Sequence, residues 1–532
     1  MEKFDIVIIG AGASGLASSW YLTDKGYKVA CFEQGDFLRE DSLIDLNQGG
    51  EIQKYGCLSP DPNLRRSKAD YLIDSSRSPI HIANYNGVGG ATILFSAQYP
   101  RLTPNDFKVF SNDKVGKNWP IDYKEIIPFY DLNDKITGLS GLSGDNKEPF
   151  AKPSMPPVPF GSMGRKLIEG FEKLNWHWWP AYSSINTLPY DNRPADNYLR
   201  PSNLAGGLDG SKGSTNNTYL PKAMTHGLIL KRNSRVVKLI KDPANNLIEK
   251  IKYLNEIGQE CFAKAKVFIL AASGIGTPRL LLSSNNGINS RGIANSSDMV
   301  GRNLMLHPLG YIEGHFLDNL DSNIGPQGCC LLSQEFYETN PDRDFKRGYT
   351  FQVIRGPLPI ELALNLTSRK LLKFGENFFR DFNSIYNHTA HMTVITEDLP
   401  DKENRVTIKK SFEDTNNPSV QIDYTLSDNT KRMLIHGINN GRKLMKASGA
   451  KKSYAFGPVR NTGWHTLGTC CMGNNPKESV VNKYGKTHDI DNLFIVDGSI
   501  FTTSGGVNPA STIQALSLYV SSKIDTVYKH LF

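Results

Sequence analysis

The sequence predicts an α/β protein: a parallel, Rossmann-like sheet assembled from discontinuous segments of chain, with a second domain, built on an antiparallel sheet with helices, inserted between them. A short apolar run at 5–9 leads straight into the turn Gly10-Ala11-Gly12-Ala13-Ser14-Gly15. Two more apolar runs that end in small residues, 266–270 and 493–496, lie far along the chain. Between them, extended stretches at 348–354 and 391–396 and a helical pattern over 429–447 belong to a different kind of unit.

The first element has the composition of a buried parallel strand. A helical pattern follows the glycines, with Leu16, Ala17, Trp20 and Tyr21 on one side, and closes at Gly26. A second strand over 28–32 ends in Glu33. This strand–turn–helix–strand–acid order is the dinucleotide fingerprint. Gly10 permits the tight turn, Gly12 lets backbone approach a pyrophosphate, Gly15 lets helix pack on strand, and Glu33 accepts from ribose hydroxyls. An acidic residue there disfavours a 2′-phosphate; FAD and NAD both remain open from this segment.

The chain of 532 residues corresponds to about three or four domain equivalents. At 39% hydrophobic and 21% charged it can bury a large core, which excludes disorder and coiled coil as its theme. The net charge of +8 is spread along the chain, so it suits an anionic cofactor, substrate or redox partner better than nucleic acid. Seven cysteines without a CxxC make neither a disulfide framework nor the usual zinc or iron–sulfur spacing. No membrane segment and no signal peptide is evident, so a cytoplasmic protein without a metal is expected. Residues 145–165 and 180–215, rich in Pro, Gly, Ser and Asn, read as loops. The run at 266–270 reaches Ala271-Ala272-Ser273-Gly274, with a helix start expected at Thr277-Pro278.

Toward the C-terminus, Gly505-Gly506-Val507-Asn508-Pro509-Ala510-Ser511-Thr512 precedes a helix, with Asn508 expected as N-cap and Pro509 as the first helical residue. Such an N-terminus stabilises an anion. His465 sits in a glycine-punctuated loop just upstream, where an imidazole of near-neutral pKa accepts a proton from a substrate hydroxyl. Ten other histidines, His307 and His391 among them, compete for that role.

Six motifs in order then resemble the glucose-methanol-choline (GMC) family of FAD-dependent oxidoreductases. They are the fingerprint, Asn86-Gly-Val88-Gly89-Gly90-Ala91-Thr92, the stretch from Ser273 to Leu282, the stretch from Val300 to His307, Glu397-Asp398-Leu-Pro400 with Asn404-Arg405-Val406, and the block from His465 through Asp497-Gly498 to Asn508-Pro509. The resemblance implies FAD bound by Gly10, Gly12, Ala13, Ser14, Gly15, Glu33, Asn86, Val88, Gly89, Gly90, Thr92, Ala271, Ser273, Asp497, Gly498, Asn508 and Pro509. Thr512 falls near the pyrimidine end, and Val236 or Val237 on the strand that meets the adenine. Departures from the pattern are Phe95, where many members carry Asn or His, and the looser residues 283–288. The absence of a suitable His in the 86–95 loop implies noncovalent FAD.

The resemblance further implies oxidation of a CH–OH group, with His465 taking the hydroxyl proton, hydride passing to flavin N5, and Asn508 fixing the oxygen. The wording of the C-terminal block is closer to the sugar, polyol and cyclitol members. Trp176, Trp178 and Trp179 are weighed as a sugar-stacking cluster against ordinary core. A flavin-retaining lyase and a flavoprotein subunit of an electron-transfer complex are the alternatives. The electron acceptor (oxygen, quinone or a redox protein) and any homo-oligomer or small accessory subunit stay open. The implied division is 1–155, 200–310 and 456–532 for the FAD domain, and 156–199 and 311–455 for the substrate domain.

Overall fold

The computed structural model describes residues 1–38, 56, 58–148, 150–198, 210–284, 291–325, 328–409 and 416–532. Residues 199–209 of the loop expected at 180–215, and 285–288 of the loose stretch 283–288, lie outside these.

The main sheet has seven strands. Ile229–Lys231, Val29–Phe32, Glu2–Ile9 and Glu260–Leu270 run parallel in that spatial order. The last of these is long enough to serve three neighbours. Its N-terminal half pairs antiparallel with Ile248–Leu254, and residues 268–270 pair parallel with Leu493–Ile495. Ile6, Val7 and Ile8 are fully buried, as strands covered on both faces must be. Covering one side, the helices Ala13–Asp24 and Ala510–Thr526 meet through serines four apart on each. Ser18 and Ser517 share a 2.7 Å hydrogen bond, and the Ser517 hydroxyl donates to the Ser14 carbonyl at 2.6 Å. Small side chains at this spacing let the two chain termini pack together directly beneath the fingerprint turn.

A second sheet of six strands is antiparallel and runs Lys452–Phe456, Leu309–His315, Thr389–Thr396, Tyr349–Ile354, Cys329–Ser333, Trp179–Pro180. Alternation divides its residues. Ile312, Met392 and Val394 face the helix Asp428–Ala447, where Gly437 and Gly441 leave room for them: an added Cβ would stand 2.5 Å from Val394 and 2.9 Å from Ile312. Leu309, Gln352, Ile354, Thr393 and Ile395 face the other way, toward the first domain. A three-stranded sheet pairs Ile73–Arg77 with Val420–Asp423, which pairs with Arg405–Ile408. It joins a stretch expected in the first domain to two expected in the second.

Two expectations change. The helix expected from Thr277 begins at Ser273 and carries Pro278 inside it. Proline at that position leaves the Gly274 carbonyl without its helical donor, and the Thr469 hydroxyl donates to it instead at 2.7 Å. The C-terminal helix starts at Ala510 with Pro509, not Asn508, in the capping position, because the Asn508 amide is held by a side chain of the second sheet. Trp176 and Trp178 pack with Phe336, Phe351 and Phe160 against the second domain's core, and Trp179 donates to the Leu142 carbonyl. All three are half-buried and pack against the apolar clusters rather than within them.

Candidate active site

Two cavities meet at His465. The longer runs from Glu33 and Val236 past Gly12 and Ala13 to Trp464, His465 and Pro509. Its floor is the fingerprint turn. Gly10 has φ +106°, and a Cβ on Gly15 would lie 1.8 Å from the Gly10 carbonyl oxygen, so both positions demand glycine. Gly12 and Gly90 stack backbone on backbone: a Cβ on Gly90 (φ +54°) would come within 2.7 Å of the Gly12 Cα. The Gly89 N–H donates to the Ala11 carbonyl at 2.8 Å, which docks the 86–92 loop on the turn. No side chain caps the first turn of Ala13–Asp24, nor that of Ala510–Thr526, so the N–H groups of both helix starts are left for an anion. A narrow, glycine-lined cleft ending in two uncapped helix N-termini fits a dinucleotide pyrophosphate and an electron-rich ring.

Glu33 is bound differently from the sequence expectation. One carboxylate oxygen accepts the Ala11 N–H and the other the Gly35 N–H, each at 2.9 Å. The carboxylate therefore clamps the turn to the second strand and offers ribose only its remaining lone pairs. Burial raises its pKa, opposed by those N–H bonds. Asp497, also buried, accepts from the Thr277 hydroxyl at 2.5 Å and the Ser499 N–H at 2.9 Å.

The shorter cavity is bounded by Thr92, Phe95, the outer face of the second sheet, His465 and Asn508. At its apex the His307 Nε2 lies 2.6 Å from the Gly505 carbonyl, and the two Nδ1 atoms of His307 and His465 lie 2.9 Å apart. A carbonyl only accepts, so Nε2 of neutral His307 carries the proton and its Nδ1 is an acceptor. His465 must then donate through Nδ1, which leaves its Nε2 as an open base. Burial holds the His465 pKa well below its usual value, with a further lowering from His307, and burial pushes His307 down to about 4. Both rings are thus neutral at ordinary pH. Asp398 fixes the two segments that hold His307: it accepts the Leu306 N–H at 3.1 Å and exchanges hydrogen bonds with Ser504. Tyr337 accepts the Gly506 N–H at 3.2 Å and donates to Asp106. Gln352 donates its side-chain N–H to the Asn508 Oδ1, so the Asn508 amide N–H is the group left to donate.

Of the residues singled out from sequence, Gly10, Gly12, Ala13, Ser14, Glu33, Asn86, Gly90, Val236, Ala271, Ser273, Asp497, Gly498, His465 and Pro509 line the long cleft, and Thr92 and Asn508 line the short one. Gly15, Val88 and Gly89 shape the turn from behind. Val237 lies outside the walls of the cleft, on which Val236 stands. Thr512 does not line it either, because its hydroxyl is engaged by the Tyr130 hydroxyl at 2.7 Å. His307 and Gln352 were not singled out. Sequence signals existed: His307 closes a matched motif, and Gln352 is a polar residue inside an apolar strand.

Two profiles described as GMC oxidoreductase match residues 190–309 and 400–517, and one described as an NAD(P)-binding Rossmann-like domain matches 8–39. A 2-methyl-1,2-propanediol dehydrogenase of Mycolicibacterium austroafricanum is 33% identical over 99% of this chain and 96% of its own. The fructose dehydrogenase large subunit of Gluconobacter japonicus is 29% identical over 98% and 97%. The crystal structure of pyridoxine 4-oxidase from Mesorbium loti superposes with a TM-score of 0.68 at 16% identity, covering 99% of both chains, which shows a shared fold. The chain belongs to the GMC oxidoreductases, FAD-binding enzymes that act on CH–OH groups.

Proposed function

We propose that this enzyme oxidises an alcohol of the polyol or sugar class at the junction of the two cavities, with His465 as the base. The observation that carries the reading is the His307–His465 pair, whose tautomers leave His465 Nε2 free beside Asn508. His465 Nε2 takes the substrate hydroxyl proton. Asn508 donates to the same oxygen and holds the carbinol in one orientation. Bound FAD supplies the two-electron acceptor for the carbinol hydride. The oxygen's developing charge is met by the fixed Asn508 donor. Among the described residues no histidine other than His465 lines either cavity, which supports noncovalent FAD. Among them, too, no helix is long and apolar enough to cross a membrane.

The test is His465→Ala. The variant is expected to purify yellow, to release its FAD on acid precipitation, and to be reduced anaerobically by alcohol about 10²–10⁴-fold more slowly than the parent. Undiminished reduction would remove His465 as the base, and flavin that stays on the denatured chain would remove noncovalent binding.

A further inference from the structure

The wall of the shorter cavity opposite His465 is a sheet face, and its pattern is uneven. Alternation brings Leu309, Ile354 and Ile395 to this face, and Phe95 and Leu94 close the side. Within this apolar surface two polar side chains stand next to each other: Gln352 and Thr393 are register partners on adjacent strands. Gln352 spends its N–H on Asn508. Among the described residues its Oε1 and the Thr393 hydroxyl accept or donate no hydrogen bond, and neither is sealed from the cavity. Of the other polar wall residues, Thr92 donates to the Gly89 carbonyl at 2.6 Å and Ser96 accepts the Gln98 side-chain N–H at 3.3 Å, while the Gln98 Oε1 is buried without a partner.

We propose that Gln352 and Thr393 read a second hydroxyl on the substrate, so that the pocket selects a short diol with an apolar remainder over a free sugar. The inference rests on the alcohol oxidation proposed above and narrows its substrate. The reacting hydroxyl is engaged by His465 and Asn508. Gln352 holds Asn508 and lines the same cavity as His465, so a hydroxyl near the reacting carbinol carbon would donate to its open Oε1. Most of the remaining wall, Leu94, Phe95, Leu309, Ile354 and Ile395, is apolar and matches a hydrocarbon body. A free hexose would bring three or more further hydroxyls into these walls. Each hydroxyl buried without a partner lowers binding by about tenfold or more.

The experiment compares 2-methyl-1,2-propanediol, 2-methyl-1-propanol and fructose as reductants of the bound flavin under anaerobic conditions. It uses the wild-type holoenzyme and two variants, Gln352→Leu and Thr393→Val. For the parent, kcat/KM for the diol is expected to exceed that for the mono-alcohol by about tenfold to a hundredfold, with fructose lower still. Gln352→Leu should collapse the diol-to-mono-alcohol ratio toward unity. Thr393→Val, which leaves the Gln352–Asn508 bond alone, should lower that ratio by about threefold to tenfold while retaining full FAD. An unchanged ratio in both variants, with the two alcohols slowed equally, assigns Gln352 only to holding Asn508 and overturns the inference. Fructose reducing the parent as well as the diol overturns it too. Failure of every alcohol to bleach a fully FAD-loaded parent is a different result, since it overturns the proposed alcohol oxidation itself.

Discussion

The cofactor cleft is a backbone structure. Its floor is Gly10, Gly12, Gly15 and Gly90, its donors are helix N–H groups, and its one carboxylate at the turn, Glu33, is spent on backbone. The proposed alcohol pocket is a side-chain structure: His465, Asn508, Gln352 and Thr393 come from separate parts of the chain, and the first three are held by other side chains. Backbone sites tolerate almost no substitution but need few partners. Side-chain sites accept substitution without unfolding and change what they recognise. The same fold can therefore keep one cofactor while its substrate wall drifts.

The largest effect expected from this contrast is at Gly15. A methyl there would overlap the Gly10 carbonyl at 1.8 Å, within rigid backbone on both sides. Gly15→Ala should yield little folded protein and no bound FAD, read as flavin absorbance per chain. Its opposite is His465→Ala, which should keep the flavin and lose the reaction. Full FAD content in Gly15→Ala would break the comparison.

His307 belongs to the side-chain half, acting only through His465, as a positioning residue. His307→Leu removes the acceptor for the His465 Nδ1–H, and kcat/KM is expected to fall by about tenfold to a hundredfold with FAD retained. The pH profile separates this role from a structural one. In the parent, burial and the neighbouring His307 both lower the His465 pKa, so the base stays unprotonated and the acid limb lies below the ordinary 6.5. With His307 gone, one of those two causes is lost and the limb should move to higher pH. His307→Asn, which can donate to Gly505 and accept from His465, should restore part of the rate. A rate loss with an unmoved limb would make His307 a packing residue.

Legibility in the sequence follows the same division. The fingerprint could be read because turn, helix and acid fall within 33 residues and each glycine has a local backbone reason. Two of the second sheet's six strands, over 348–354 and 391–396, could be read from their own composition, but alternation gives only faces, not what lies opposite them. His307 was one histidine among 11 until its partner Gly505, 198 residues away, was brought to it by Asp398 and Ser504. Asn508 has the chemistry of an N-cap, and a tertiary contact with Gln352 outweighs that local preference. Thr512 is placed near the cofactor by its motif; its hydroxyl is shared with Tyr130, 382 residues earlier, which leaves its backbone N–H at the helix start.

The early start of the helix Ser273–Ser283 gives the smallest effect and joins the two halves of the site. Pro278 withholds the N–H that Gly274 needs, and Thr469 supplies a hydroxyl from the loop that carries His465. The loop rests on the helix so closely that a Cβ on Gly274 would lie 2.1 Å from the Thr466 carbonyl oxygen, so the loop that carries His465 and the long cleft share one surface. Thr469→Val keeps the shape and removes the donor, leaving a buried carbonyl unsatisfied at a cost of about 1–3 kcal/mol. In a chain of 532 residues that lowers Tm by only a few degrees. FAD content should be unchanged and kcat/KM within about fivefold of the parent, because shape rather than this bond positions His465. A loss of FAD in Thr469→Val would instead mean that the bond tunes the cleft itself, and that backbone and side-chain sites are coupled more tightly than their construction implies.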